Sequence, residues 1–298
     1  MTSFRAKLRF FLGQILPPFI YSRIKRCYRS VLPNKESLIE SEIVRLSKFP
    51  PGVCGSTSIF GGKFEFTDAR SFLHQYKYLF NGKKCLFAAL NTPPCIIDCG
   101  ANIGVSIMWW KHLYPNAQII AFEADPKIFA VLERNCADLT GVTLYNAAIW
   151  NSNSRMPFEA LGGEGGRVIE SGDPFDRAKV CEVETIRLRD FLLKNLPNGC
   201  DFLKLDIEGA EVVVLDDCRD IVSSAEHIFL EYHSFFHKKQ SLGEIFTTLE
   251  NAGFRIHVHV ELPSPSPFFQ LLKLNRKDLR VHLFCFKEER LPHIHLLD

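Results

Sequence analysis

The chain has 298 residues, 46% of them apolar, and a formal net charge of +2. That length supports one large domain or one domain with an appendage. The net charge by itself says nothing about partners, but the body after residue 35 is mildly acidic and shows no nucleic-acid footprint. Ten cysteines are scattered with no C-x-x-C pair, which argues against a disulfide framework or a zinc site and for a reducing, cytoplasmic setting.

Taken in chain order, residues 1–35 carry eight Lys or Arg and no Asp or Glu, so the rest of the chain is mildly acidic. Within residues 1–32 the bases alternate with Leu8, Phe10, Phe11, Leu12, Ile15, Leu16 and Phe19, and Pro17-Pro18 breaks the run. The run is too short for a spanning helix and has no cleavage site for a signal peptide. It suits either an interfacial segment drawn to an anionic membrane or a basic arm on the body. Residues 33–90 form an N-terminal extension, with a hairpin over Thr57 to Phe66 around Gly61-Gly62. Asp68 then caps a helix whose Phe72, Tyr76 and Leu79-Phe80 share a face.

From residue 91 to 298, strands and helices alternate. Seven buried strands are expected: Cys95 to Ile97, Ile119 to Phe122, Val142 to Trp150, Asp201 to Ile207, His227 to His233, Phe254 to Val260 and Val281 to Lys287. Asp125-Pro126 opens one helix, Ser241 with Glu244 forms a capping box on another, and Gly253 ends that one. The pattern predicts an α/β, Rossmann-like domain: a mostly parallel sheet with helices on both faces.

The most informative stretch is Asp98-Cys99-Gly100-Ala101-Asn102-Ile103-Gly104, a strand end, a glycine turn and a helix start. Gly100 and Gly104 leave the backbone bare for a close ligand. Asn102 and Val105 stand where a dinucleotide fingerprint has its second and third glycines. An acid before such a turn suits S-adenosylmethionine, whose amino-acid end is cationic. Glu123, ending the second strand, is placed to accept from ribose hydroxyls.

Four motifs in order resemble the FkbM-type methyltransferases: Ile96 to Gly104, Ala121 to Pro126, Phe202 to Glu211, and Leu230-Glu231-Tyr232-His233. Ala124 departs slightly from the family pattern. The resemblance covers roughly residues 91 to 260 and implies a class I, seven-stranded S-adenosylmethionine fold with an antiparallel last strand and, usually, O-methylation. The stretch Phe158 to Arg167 also resembles a glycine-rich loop of relatives linked to surface polysaccharides, which favours a glycan or nucleotide-sugar acceptor. Polyketides and other small molecules remain alternatives, as does a cofactor-binding scaffold without turnover.

Cofactor contacts are therefore expected from Asp98, Gly100, Asn102, Gly104, Glu123 and Asp206. An acceptor hydroxyl needs a base at the carboxyl ends of the strands, and His233 and Asp206 are the candidates. His233 could equally be a satisfied histidine bonded to Glu231. Arg167, Glu208 and Glu231 are candidate acceptor contacts, and Glu211 suits a structural role at a helix start. Asp206, Glu208, Glu231 and His233 would make an oxygen-rich cluster suited to Mg²⁺ or Mn²⁺, although no metal is expected. Gly162 to Arg167 and Leu262 to Leu274 are long connections able to cover the pocket.

Overall fold

The computed structural model describes residues 33–163, 165–261, 266, 268–269 and 276–287. The basic segment 1–32 and His293 and His295 lie outside the described residues. Of the 262–274 stretch only Ser266, Phe268 and Phe269 are described, and both phenylalanines are exposed.

The extension begins with α1 (Pro33–Ser47), a helix the sequence reading missed. Strands β1 (Gly55–Thr57) and β2 (Phe64–Phe66) pair antiparallel as the expected hairpin. Helix α2 (Ala69–Tyr76) is capped by Asp68, which accepts from the Ser71 N–H at 2.7 Å. It runs directly into a π-helical turn, Lys77–Asn81. Phe64, Phe66 and Phe72 are almost wholly buried and pack ring against ring, so the extension shares the core of the main body.

The body is built on β3 (Cys95–Cys99), β4 (Gln118–Phe122), β5 (Val142–Tyr145), β10 (Cys200–Leu205), β11 (Ala225–Phe235), β12 (Phe254–Val260) and β13 (Lys277–Lys287). Their order is β12-β13-β11-β10-β3-β4-β5, and only β13 runs antiparallel to its neighbours. Alternation along the strands splits the core. Ile97, Leu203, Leu205 and Leu230 pack on one face with α5 (Leu188–Asn195), α6 (Glu211–Asp217) and α7 (Leu242–Asn251). Ile96, Phe202 and Phe229 pack on the other with α2, α3 (Val105–Leu113) and α4 (Pro126–Cys136). Chain order reverses between β3 and β10, and their carboxyl ends open into a crevice there. Asp201, fully buried at the opposite end of β10, accepts the N–H groups of Leu90, Asn91 and Cys95 and fastens the segment entering β3.

Two expectations are corrected, and a second sheet is added. Val142 to Trp150 is two strands: the chain leaves the main sheet after Tyr145, and β6 (Ala148–Trp150) joins a second sheet. Asn146 sits at the break, its amide donating to the Glu123 and Ala124 carbonyls. The second sheet, β6-β9-β7-β8, adds β7 (Ser154–Glu159), β8 (Arg167–Val168) and β9 (Val180–Arg187), none of them anticipated. Ser241 caps α7 without a side-chain hydrogen bond, so the capping box does not form; its N–H donates instead to the Tyr232 hydroxyl. The nine described cysteines are free. Among the described residues no helix is long and apolar enough to cross a membrane.

Candidate active site

The cleft lies above the carboxyl ends of β3, β4, β10 and β11, with the glycine turn on one side and the end of α2 on the other. The turn is held from beneath. Asp98, fully buried, accepts from the Ser106 hydroxyl through one oxygen, and the other lies 3.1 Å from Lys204 Nζ. Lys204 also donates to the Gly100 carbonyl at 2.8 Å and lies 3.3 Å from Asp206. Burial opposes its charge, but Asp98 and Asp206 outweigh burial and keep it an ammonium. Sequence reasoning assigned Lys204 no role, although a lysine between Leu203 and Leu205 in a buried strand was a usable signal.

Gly100 and Gly104 both have positive φ, and Gly100 lines the cleft. A Cβ on Gly100 would lie 1.9 Å from the Asp206 carbonyl oxygen, and one on Gly104 would meet the side chains of Leu132 and Cys136. Bareness at both lets the turn close against β10 and α4; Gly104, unlike Gly100, is not among the residues lining the cleft. Asn102, also at positive φ, lines the cleft; its amide approaches the Gly163 carbonyl at 3.5 Å.

Glu123 stands at the end of β4 and faces the turn. One oxygen accepts from the Asn102 N–H at 2.9 Å and the other from the Asp125 N–H at 2.8 Å. Each carboxylate oxygen has two lone pairs, so each keeps one for a further donor. Burial pushes the carboxyl up to about 7, against those two backbone bonds. The glycine loop closes the wall: Asp125 Oδ2 accepts from the Gly162 N–H, and Gly163, Gly165 and Gly166 line the cleft.

The acid-rich end is organised by strand register. Glu231 and His233 alternate along β11 and therefore share a face, opposite His282 and Arg280 of β13. Two expectations fail here. His233 has a fully buried side chain, with Nδ1 2.9 Å from Glu211 and Nε2 3.1 Å from Glu231 and 3.6 Å from Glu208. Burial opposes its charge, but Glu208 and Glu211 outweigh burial and raise its pKa well above the usual value. A buried imidazolium with both nitrogens engaged is not placed to take a proton from an acceptor; it is the counterion of three carboxylates. Glu211 also accepts from the Ile207 and Gly209 N–H groups, which fixes the loop before α6. Arg167 is the second correction. It is buried, ion-paired with Asp173 at 2.7 Å and Glu159 at 3.5 Å, and donates to the Pro174 carbonyl. It has no free face for an acceptor and braces the loop instead.

Asp206 differs from His233. Its side chain is 28% exposed and it lines the cleft. Burial raises its carboxyl to about 6, with Lys204 pulling the other way and Glu231 adding to the rise. Glu208 and Glu231 line the cleft as expected. Glu208, at φ 57, is paired with Lys277 and His233. Glu231 reaches His233 with one oxygen and His282, at 2.9 Å, with the other. Burial would raise its pKa, but the two histidines hold it well below the usual range. Asp206, Glu208 and His233 offer ligand atoms within 4.8 Å of one another. As a metal site the set fits poorly, because each group already has a protein counterion and a protonated imidazole has no lone pair to give. Tyr78, Arg280 and His282 also line the cleft, and sequence reasoning singled out none of them. For Arg280 and His282 the signal was available as polar residues alternating with Val281 and Leu283 in an apolar strand.

A family model for the methyltransferase FkbM domain matches residues 98–256. Methyltransferase sdnD of Sordaria araneosa is 33% identical over 171 residues, covering 47% of this chain and 66% of its own. The 2-O-methyltransferase NoeI of Sinorhizobium fredii is 27% identical over 153 residues, covering 47% of this chain and 63% of its own. The 31-O-demethyl-FK506 methyltransferase FkbM of Streptomyces tacrolimicus is 26% identical over 213 residues, covering 61% and 81%. The chain thus spans just under two thirds of the length of the first two relatives. Among solved structures, fibrillarin of Aeropyrum pernix aligns with a TM-score of 0.40 at 13% identity, over 75% of this chain and 79% of that one. The family model covers more than half of the chain and includes both the turn and the acid-rich strand ends: the chain belongs to the FkbM methyltransferase family.

Proposed function

We propose that the protein is an S-adenosylmethionine-dependent methyltransferase acting on a hydroxyl of a small, sugar-like acceptor. The observation that carries this reading is the convergence of the Asp98–Gly104 turn, Glu123 and Asp206 on one cleft, from the carboxyl ends of three adjacent strands. The residues present fit the cofactor. Glu123 keeps a lone pair on each oxygen for the two ribose hydroxyls, and Asn102 and the glycine loop offer a wall with little side chain. The cleft's carboxylates suit a cationic donor. When bound, the cofactor supplies a methyl group on a sulfonium, which leaves as a neutral thioether.

The chain's own residues then have two tasks. One is to hold the acceptor oxygen in line with water excluded. The other is to accept its proton, and Asp206 is the group placed for it. Its carboxyl is exposed to the cleft, and an apparent pKa near 6 leaves it ionised yet basic at neutral pH. Lys204 steadies the carboxylate. An oxygen acceptor is supported by two relatives whose names state O-methyl chemistry, and a polyhydroxyl acceptor by the polar lining of the acid-rich end. The basic, apolar composition of residues 1–32 supports attachment to an anionic membrane surface on the cytoplasmic side.

The test is methyl transfer from tritium-labelled S-adenosylmethionine to a panel of methyl glycosides, simple alcohols and phenols. Label in a glycoside, absent without enzyme, is the expected result. Cofactor binding without transfer to any hydroxyl overturns the reading.

A further inference from the structure

The acid-rich end of the cleft contains polar groups that neither cofactor binding nor proton removal uses. Tyr78 sits on the π-helical turn that directly follows α2. Its hydroxyl lies 2.9 Å from His282 Nδ1, and its ring meets the His282 ring edge-on at 5.1 Å. His282 is itself buried, and its Nε2 lies 2.9 Å from Glu231 Oε2. Strand register fixes that pair, since Glu231 and His282 stand directly opposite on β11 and β13.

The chain of contacts fixes where the hydroxyl points. Glu231 Oε2 lies beside Nε2 of His282, and Glu261 lies 3.7 Å from Nδ1, so the ring is held between β11 and the end of β12. The Tyr78 hydroxyl and His282 Nδ1 share one hydrogen bond. The Tyr78 oxygen keeps capacity for a further hydrogen bond, and the residue lines the cleft. Beside it Arg280 also lines the cleft, with its buried Nε 3.5 Å from Glu231 and lacking a hydrogen-bond partner among the described residues. One oriented hydroxyl and one guanidinium, the latter also 3.8 Å from Glu261, therefore share the wall of a cleft whose floor holds Asp206. A hydroxyl, which both gives and takes a hydrogen bond, complements such a pair.

We propose that Tyr78, oriented by His282, and Arg280 form a subsite that reads a second hydroxyl of the acceptor, neighbouring the one that is methylated. The substrate class is thereby narrowed to compounds with adjacent hydroxyls, and Tyr78 determines which of them faces the methyl group. The inference rests on the methyltransferase reading and deepens it. Tyr78 would touch substrate, whereas His282 is a positioning residue.

The experiment compares wild type, Tyr78→Phe and His282→Phe on methyl glycosides, their monodeoxy derivatives and cyclohexanol, with S-adenosylmethionine affinity measured separately by calorimetry. Both variants keep an aromatic ring in place. Tyr78→Phe is expected to leave cofactor affinity within twofold and to lower kcat/KM for the preferred glycoside at least tenfold, mainly through KM. It should broaden the position of methylation and cause no loss on the glycoside that lacks the second hydroxyl. His282→Phe should move KM in the same direction. Equal losses on parent and deoxy glycosides overturn the subsite, as does methylation of cyclohexanol as efficient as that of any glycoside. Failure of the underlying reading looks different: no cofactor binding, or no transfer to any acceptor by the wild type.

Discussion

Replacing His233 by Ala separates a structural imidazolium from a catalytic base. The wild-type ring is fully buried between Glu211 and Glu231, with Glu208 at 3.6 Å. Its removal leaves three carboxylates around a cavity with Lys277 and Arg280 as their remaining cationic neighbours. Breaking a buried ion pair by deleting one partner costs about 3–5 kcal/mol. For a body of this size that corresponds to a fall in Tm of roughly 6–20 °C. The loss must depend on pH in a defined way. Glu208 and Glu211 outweigh burial and raise the His233 pKa above 6.5, so its stabilising effect is complete below 6.5 and disappears as pH rises through the folded value. The depressed Glu231 contributes above 4.5 and ceases to as pH falls through its folded value. The gap between wild type and variant should therefore be widest between about pH 4.5 and 6.5 and narrow at lower pH. Urea unfolding at a series of pH values measures it. A variant with unchanged stability and a collapsed turnover would refute the reasoning and restore His233 as the base.

Asp206→Asn should lower turnover by roughly 10²–10⁴ with cofactor affinity nearly unchanged, and wild-type turnover should rise with pH through about 6, as the carboxyl loses its proton; the pH–rate profile of both proteins checks this. Gly100→Ala should cost about 2–5 kcal/mol, because its Cβ would sit 1.9 Å from the Asp206 carbonyl at a φ of +86 that L-residues resist, and thermal unfolding reads the loss. The full chain should float with anionic vesicles at low salt and release at high salt, while a chain starting at Pro33 stays behind; full-length protein that ignores such vesicles ends the membrane reading.

Much of the architecture was legible because buried parallel strands are continuous apolar runs. Cys95 to Ile97, Ile119 to Phe122 and Asp201 to Ile207 each mark a strand of the sheet, within a residue or two of its ends. Asp68 and Asp125 were legible as helix caps because capping is local chemistry. The second sheet was not, since its strands are short and carry exposed acids such as Glu182 and Glu184, whose alternation with Val183 and Thr185 signals a strand only weakly. The glycine turn and Glu123 were readable from spacing along the chain. Arg167 was misjudged and His233 left between two roles because a charged side chain looks the same in sequence whether it faces a cleft or a buried counterion. Tyr78 and His282 stand 204 residues apart, and no local pattern joins them.

Calorimetry with S-adenosylmethionine, its demethylated product and NAD⁺, on wild type and Glu123→Ala, tests the central claim most directly. On the proposed reading Glu123 accepts one or two ribose hydroxyls, and with the carboxyl ionised, above about pH 7, such charge-assisted bonds contribute roughly 1.5–3 kcal/mol. The account predicts binding of the methyl donor and its product, none of the dinucleotide, and a weakening of about tenfold to a hundredfold in the variant. Tight NAD⁺ binding with no heat from S-adenosylmethionine, or an unchanged affinity in Glu123→Ala, would contradict it.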